Sequence, residues 1–579
     1  MAGAVAMAAA ALVAAGEPAE RAWPVRLVDV AARAGLDAPS TYGGVDRKRF
    51  IIEANGAGAA FLDADGDGRL DALVLNGTRL RDGTREDVVW PAGEAPTPRL
   101  YRNLGNGAFE DITKGSGLER AAWWSSVCAG DYDNDGRLDV HLTAFGVNRL
   151  YRNAGGGRYE DVTAASGLPT AGERWGSGCT FLDYDRDGRL DLFVANYLVF
   201  DRAIAAEPGT GVNCLWKGIP VNCGPKGLPF DTNLLYRQDD DGRFVDVSEA
   251  SGIAAVRNRY AMTAAAADYD EDGWVDIYVA ADSTAAILYR NGGDGTFTDV
   301  ALRSGAAFSE NGRAQAGMGL GVGDFNADGR LDLFKTHFAD DLPALYRNLG
   351  RGLFEDVATA AGLGVQNRYV EWGAGMPDLD NDGWPDLVYV TGSVYPEVER
   401  YFPEYPHEGP TIVFRNRGPA GTFEDVSAAS GPGALARRSA RGAAFGDFDG
   451  DGDIDILVMT MNGLPALLRN DSTSGHGWLA VRLEGTASNR AAIGATVRVT
   501  AGGRTQARAV LSQSSYYSHD DLRLHFGLGA ARTADRVEVR WPSGATSVRT
   551  GVPIRQVLTI QEPASPSPTR SRRQTLPGG

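Results

Sequence analysis

Residues 183–194 read Asp183-Tyr-Asp-Arg-Asp-Gly-Arg-Leu-Asp191-Leu-Phe-Val194, and the reading of this stretch decides the fold. Aspartates stand at places 1, 3, 5 and 9, with Gly188 at place 6. Carboxylates at alternate places converge when the chain coils tightly, and glycine at place 6 permits the sharp turn. A backbone carbonyl at place 7 then faces the same point. The flanks are short, apolar and β-rich, so the loop joins two strands of a hairpin. Calcium takes 6–8 hard oxygens at about 2.3–2.6 Å, and an all-protein oxygen cage favours it over the smaller magnesium.

The pattern D-x-D-x-D-G-x-x-D occurs seven times. Its candidate metal ligands are Asp63, Asp65, Asp67 and Asp71; Asp131, Asp133, Asp135 and Asp139; Asp183, Asp185, Asp187 and Asp191; Asp268, Asp270, Asp272 and Asp276; Asp324, Asn326, Asp328 and Asp332; Asp378, Asp380, Asp382 and Asp386; and Asp447, Asp449, Asp451 and Asp455. An Asp/Gly turn without metal explains one such copy but not seven. Four acids within nine residues repel one another unless a cation neutralises them. The formal charge is −18, yet without the 27 aspartates of these places the chain would hold 48 acids against 57 bases. The acidity is concentrated where cations would sit, and up to seven calcium ions are expected.

A second element follows each Asp loop: L-Y-R-N, a glycine turn, then F-x-D-V, as in Leu345–Asn348 with Phe354–Val357. Each repeat thus supplies about four strands, one blade of a propeller. The seventh repeat has Leu467–Asn470 but no F-x-D-V, and the missing piece stands at the other end of the chain as Leu27–Val30. An all-β, seven-bladed β-propeller over residues 25–471, closed by its N-terminal strand, is the expectation; closure hides both sheet edges.

The connections between second and third strands lie on the face opposite the Asp loops. Three are long, at roughly Asn76–Arg99, Asn196–Asn233 and Thr391–Thr411. They carry Trp216, Tyr395, Tyr401 and Tyr405, the candidates for ligand contact, although such aromatics also serve to pack loops down. Cys214 and Cys223 share one loop and suit a disulfide, whereas Cys128 and Cys179 fall in strands and read as buried thiols. The six histidines are scattered, and no nucleophile elbow, H-E-x-x-H or phosphate loop is present. His337 beside Asp340 and Asp341 is the one cluster, and it reads as incidental.

Alternating strands such as Gly477–Glu484 continue after Asn470, implying a small β-sandwich-like domain over residues 472–562. The Pro/Ser/Arg-rich tail, 563–579, reads as disordered. Residues 1–20 resemble the apolar core of a signal peptide without its positive start. No apolar run reaches the ~18 residues of a membrane span, and the acidity argues against nucleic acid.

These residues resemble the FG-GAP/VCBS repeats of integrin-α-type propellers. Asn489–Ala495, Leu524–Gly529 and Trp541–Gly544 resemble the ASPIC/UnbV domain. The combination, over roughly residues 25–560, is similar to the cartilage acidic protein family and its bacterial relatives. The resemblance implies a calcium-binding propeller, secreted or held at the cell surface or in the periplasm. Integrin ligand recognition does not carry over, since it depends on a partner subunit. The expected function is a monomeric binding or adhesion module that takes an extracellular glycan or protein on the insertion face. An enzyme with an axial site and a purely structural surface protein are the alternatives.

Overall fold

The computed structural model describes residues 22–211 and 213–564. The leader reading (1–20) and the tail from residue 565 lie outside the described residues. Seven repeats form seven antiparallel blades, each with its Asp loop between first and second strands. Blade 4 shows the pattern: Ala261–Ala267, Asp276–Ala281, Ile287–Asn291 and Phe297–Asp299, in sequential order. The first strands are buried at almost every position, because both faces of each blade pack on neighbouring blades. First strands of neighbouring blades touch in a closed circuit, the seventh meeting the first. Leu27–Asp29 pairs antiparallel with Ala466–Asn470, so the chain's first strand completes its last blade.

A hydrogen-bond circuit joins the blades. The amide of L-Y-R-N donates to the place-2 carbonyl of the preceding blade's Asp loop, at 2.8–3.0 Å in all seven blades. Asn291, for example, reaches the carbonyl of Tyr184, and Asn103 reaches back across the closure to Phe448. Gln238 does the work of Asn in blade 3. Buried amides need partners, and this one fixes the spacing between blades.

One sequence reading is corrected: Cys128 and Cys179 are not thiols but are bonded to each other. They sit on the first strands of blades 2 and 3, and Trp175 of the latter strand also pairs with Phe145 on the second strand of blade 2. Cys214 and Cys223 form the second disulfide, and no cysteine among the described residues is free.

The C-terminal part has two sheets facing each other. One contains Gly477–Glu484, Leu524–Gly529 and Val557–Gln561; the other contains Thr496–Ala501, Arg504–Ala509, Thr533–Arg540 and Thr546–Pro553. Arg504–Ala509 and Thr546–Pro553 escape the sequence reading, since their alternation is broken by charged residues. This domain lies over the Asp loops. The carbonyl of Gly452 accepts from His525, that of Gly329 from Arg498 and that of Asp382 from Arg504.

Its segment 511–521 enters the axis of the ring and touches every blade. His519 bonds to Ala59 and Phe61 of blade 1, and the Tyr517 carbonyl accepts from Val127 of blade 2. Gln513 Oε1 accepts from the backbone of Cys179 and Ala264 in blades 3 and 4. Ser515 pairs with Leu320 of blade 5 and accepts from Ala374 of blade 6. Asp520 accepts from Phe445 of blade 7. Tyr516 and Tyr517 are stacked at the tip, both 0% exposed. A Cβ at Gly58 would overlap the Tyr517 carbonyl, so the inner wall is glycine where the plug passes.

Candidate metal centres and the opposite face

Each Asp loop is built the same way from its own backbone. The place-1 carboxylate accepts the amide of the place-6 glycine in all seven copies, at 2.7–3.1 Å. The residue at place 4 is left-handed in every loop, even where it is Arg186, Glu271 or Ala327. Non-glycine residues avoid this region unless the surroundings impose it. The loop geometry is therefore imposed by the motif as a whole.

The place-9 aspartates are 0–2% exposed. One oxygen accepts the place-2 amide of the same loop, as in Tyr269 to Asp276 at 3.3 Å. The other accepts the backbone amide of the L-Y-R-N amide residue, as in Asn291 to Asp276 at 2.9 Å. All seven loops repeat both bonds. Sequence reasoning assigned place 9 to the metal alone and missed this second task. The recurring amide of L-Y-R-N was the available signal.

The carboxylate oxygens of places 1, 3 and 9 lie within 4.8 Å of one another in the loops of Asp63, Asp131, Asp183 and Asp268. At place 5, Asp67, Asp135, Asp187 and Asp328 pair with the arginine two residues on. Burial pushes the place-1 carboxyls up, Asp131 to about 6 and Asp183, Asp324 and Asp447 to about 7. It pushes place-9 Asp71 to about 7 and Asp139 to about 8. Asp185 Oδ1 and Asp268 Oδ1 are buried without a hydrogen-bond partner. Clustered buried carboxylates, some with orphaned oxygens, are a donor set that fits a hard divalent cation.

On the opposite face the three insertions meet. Glu207 receives Arg49 at 2.6 Å and Arg85 at 3.1 Å, and Arg202 reaches Asp87 at 2.7 Å. Trp216 packs edge-on against Tyr405, with centroids 4.8 Å apart, and touches Tyr395 and Phe338. Lys217 lies over Trp216 and Tyr405 and bonds Asp340 at 2.7 Å. Tyr395 is 9% exposed, whereas Tyr401 is 64% exposed and stands apart from this stack. His337 is buried, with its ring nitrogen 2.8 Å from the Leu342 carbonyl, and burial pushes its pKa well below the ordinary value.

The FG-GAP-like repeat model matches residues 81–142, 134–194, 268–335 and 378–458, and the ASPIC and UnbV model matches 485–567. Cartilage acidic protein 1 of Xenopus tropicalis is 28% identical over 304 residues, 50% of this chain and 43% of the relative. The Homo sapiens protein is 24% identical over 384 residues, 64% of this chain and 50% of the relative. The chain spans about half the length of the curated relatives it matches. Among solved structures, the BP39L lectin from Burkholderia pseudomallei is 10% identical, with a TM-score of 0.39, over 71% of this chain and 95% of that one. A likeness so distant says nothing about what this chain binds. No helix among the described residues is long and apolar enough to cross a membrane.

Proposed function

We propose that this chain, which belongs to the FG-GAP-repeat proteins carrying an ASPIC and UnbV domain and matches cartilage acidic protein 1, is an exported, calcium-stabilised binding module whose ligand sits on the insertion face. The observation that carries this reading is the inequality of the two faces. The C-terminal domain lies over the Asp loops and its plug fills the axis, while the three long insertions surround the opposite mouth. Long loops on a rigid ring are where recognition usually resides. Calcium would be held by the carboxylates of places 1, 3 and 9, and its role would be to neutralise acids that otherwise repel within the native loop. Two disulfides with no free cysteine favour an oxidising compartment.

An array of immobilised glycans and extracellular proteins, probed with calcium-loaded chain, tests the reading. Lys217→Glu on the insertion face is expected to abolish or weaken capture, and Arg549→Glu on the C-terminal domain to leave it unchanged. Equal loss in both variants, or none in either, contradicts the assignment of the face.

A second reading, catalysis at the axial mouth, draws on Asp282 and Asp341, whose carboxyls burial pushes above their ordinary range. Release of product from chromogenic glycosides, lost in Asp282→Asn, would favour it.

A further inference from the structure

We infer that the pocket at the axial mouth of the insertion face is a subsite for one terminal sugar residue, uncharged and rich in hydroxyls. This rests on the insertion face being the ligand face. The pocket has a volume of about 360 Å³, within the range of small-ligand sites. Residues from separate blades line it: Asn55 ahead of the first strand of blade 1, Tyr197 just after the second strand of blade 3, Met262 of blade 4, Met318 ahead of blade 5 and Trp372 of blade 6. The plug lies behind this lining. The Tyr516 hydroxyl donates to the Asn55 carbonyl at 3.1 Å, and its ring lies 4.9 Å from Trp372. The Tyr517 hydroxyl is 3.2 Å from Met262 Sδ. The C-terminal domain thus supports the lining of a pocket that opens on the far face of the propeller.

The polar groups are few and fixed. Asp282 receives the Tyr197 hydroxyl at 2.5 Å on one oxygen and the Ser283 hydroxyl at 2.9 Å on the other. Asn222, 2% exposed, is oriented by the Val394 carbonyl at 3.3 Å. Asn55 is 5% exposed, and its Nδ2 has no hydrogen-bond partner. A buried amide donor without a partner is rare and costly, which suits a group awaiting a ligand oxygen. Behind Trp372, Arg441 is fully buried and donates to the carbonyls of Ala54 and Gly392, which stiffens that wall.

The charges decide the ligand class. Asp282 and Asp341 face Lys226, and Arg313 acts on Asp341, so two acids are balanced by two bases within the lining. A balanced set gives an ion of either sign no net attraction, but it offers acceptors and donors together. Trp216, half-buried, adds apolar ring surface. A pyranose presents an apolar C–H face for such a ring and adjacent hydroxyls for a carboxylate and an amide.

The test is saturation-transfer NMR on the full calcium-loaded chain, with methyl glycosides of common hexoses and N-acetylhexosamines as probes, followed by titration of any binder. The expected result is that at least one neutral glycoside binds. Asp282→Asn, which keeps the side-chain shape, is expected to weaken it more than about tenfold, the scale of a lost hydrogen bond to a charged group. Arg549→Glu on the C-terminal domain should leave it unchanged. If Asp282→Asn fails to melt like the wild type, Asp341→Asn serves in its place. Sugar binding indifferent to both pocket variants overturns the pocket while leaving the face reading intact. Absence of any glycoside signal overturns the sugar class. Macromolecular capture lost in Lys217→Glu would still stand on its own, so the two failures are distinguishable.

Discussion

The two faces of this propeller are built by opposite means. The Asp-loop face repeats one solution seven times, with the same bonds from place 1 to place 6 and from place 9 to the third strand. The insertion face has no repeat: its contacts, such as Arg49 with Glu207 or Trp216 with Tyr405, each occur once. The repeated face sets the ring, and the unrepeated face is free to be specific. The C-terminal domain joins the two, since it covers the first and sends a plug to the base of the second.

The strongest way to break this comparison is to remove the plug's tip. Tyr516→Ala would leave a cavity among buried residues of several blades and should cost about 3–5 kcal/mol, read by denaturant unfolding. It should also abolish binding at the axial pocket. A loss below about 1 kcal/mol would mean that the ring does not depend on the plug.

Next in size is the inter-blade circuit. Asn291→Ala leaves the carbonyls of Tyr184 and Val275 without that donor, and should cost about 1–3 kcal/mol. Asn291→Gln should recover part of this, because Gln238 already makes the equivalent bond in blade 3. Equal loss in both variants would show that side-chain length, rather than the amide, matters.

The third effect depends on pH. The folded pKa values of Asp131, Asp183, Asp324, Asp71 and Asp139, at about 6 to 8, lie above the ordinary carboxylate value. The metal-free native state therefore holds protons more tightly than the unfolded chain. These groups stabilise the metal-free fold below about pH 4, and that contribution is lost as pH rises through 6 to 8. Calcium competes for the same oxygens, so its effect on Tm should be small at pH 5 and larger at pH 8. Equal shifts at both values would contradict the assignment of these carboxylates to the metal.

The smallest expected effect is on the insertion face. Lys217→Ala removes a partly exposed pair with Asp340 and should change stability by less than about 1 kcal/mol. Its binding defect should be far larger than its stability defect, which separates the two faces by role.

Blade number, ring closure and the C-terminal sandwich were legible because each is local or repeated. Seven Asp loops average out the ambiguity of any one, and Leu27–Asp29 was recognisable as the piece missing from the last repeat. The plug was not legible. The bond from Tyr516 to Asn55 joins residues 461 apart, and nothing in Ser512–Asp520 marks it as axial. The Cys128–Cys179 bond was missed for a related reason: each cysteine reads as a core residue of its own strand, and the 51-residue spacing carries no signal. The axial pocket likewise depends on side chains from five blades that only the closed ring brings together.

The central claim is that the acidic face is a set of calcium sites, and thermal unfolding at pH 8 tests it most directly. The full chain would be melted in excess EDTA, in millimolar calcium and in millimolar magnesium. A rise of several degrees or more with calcium, and little with magnesium, is the predicted result. Identical melting in all three would mean that backbone amides and arginines alone satisfy the aspartates, and would contradict the claim.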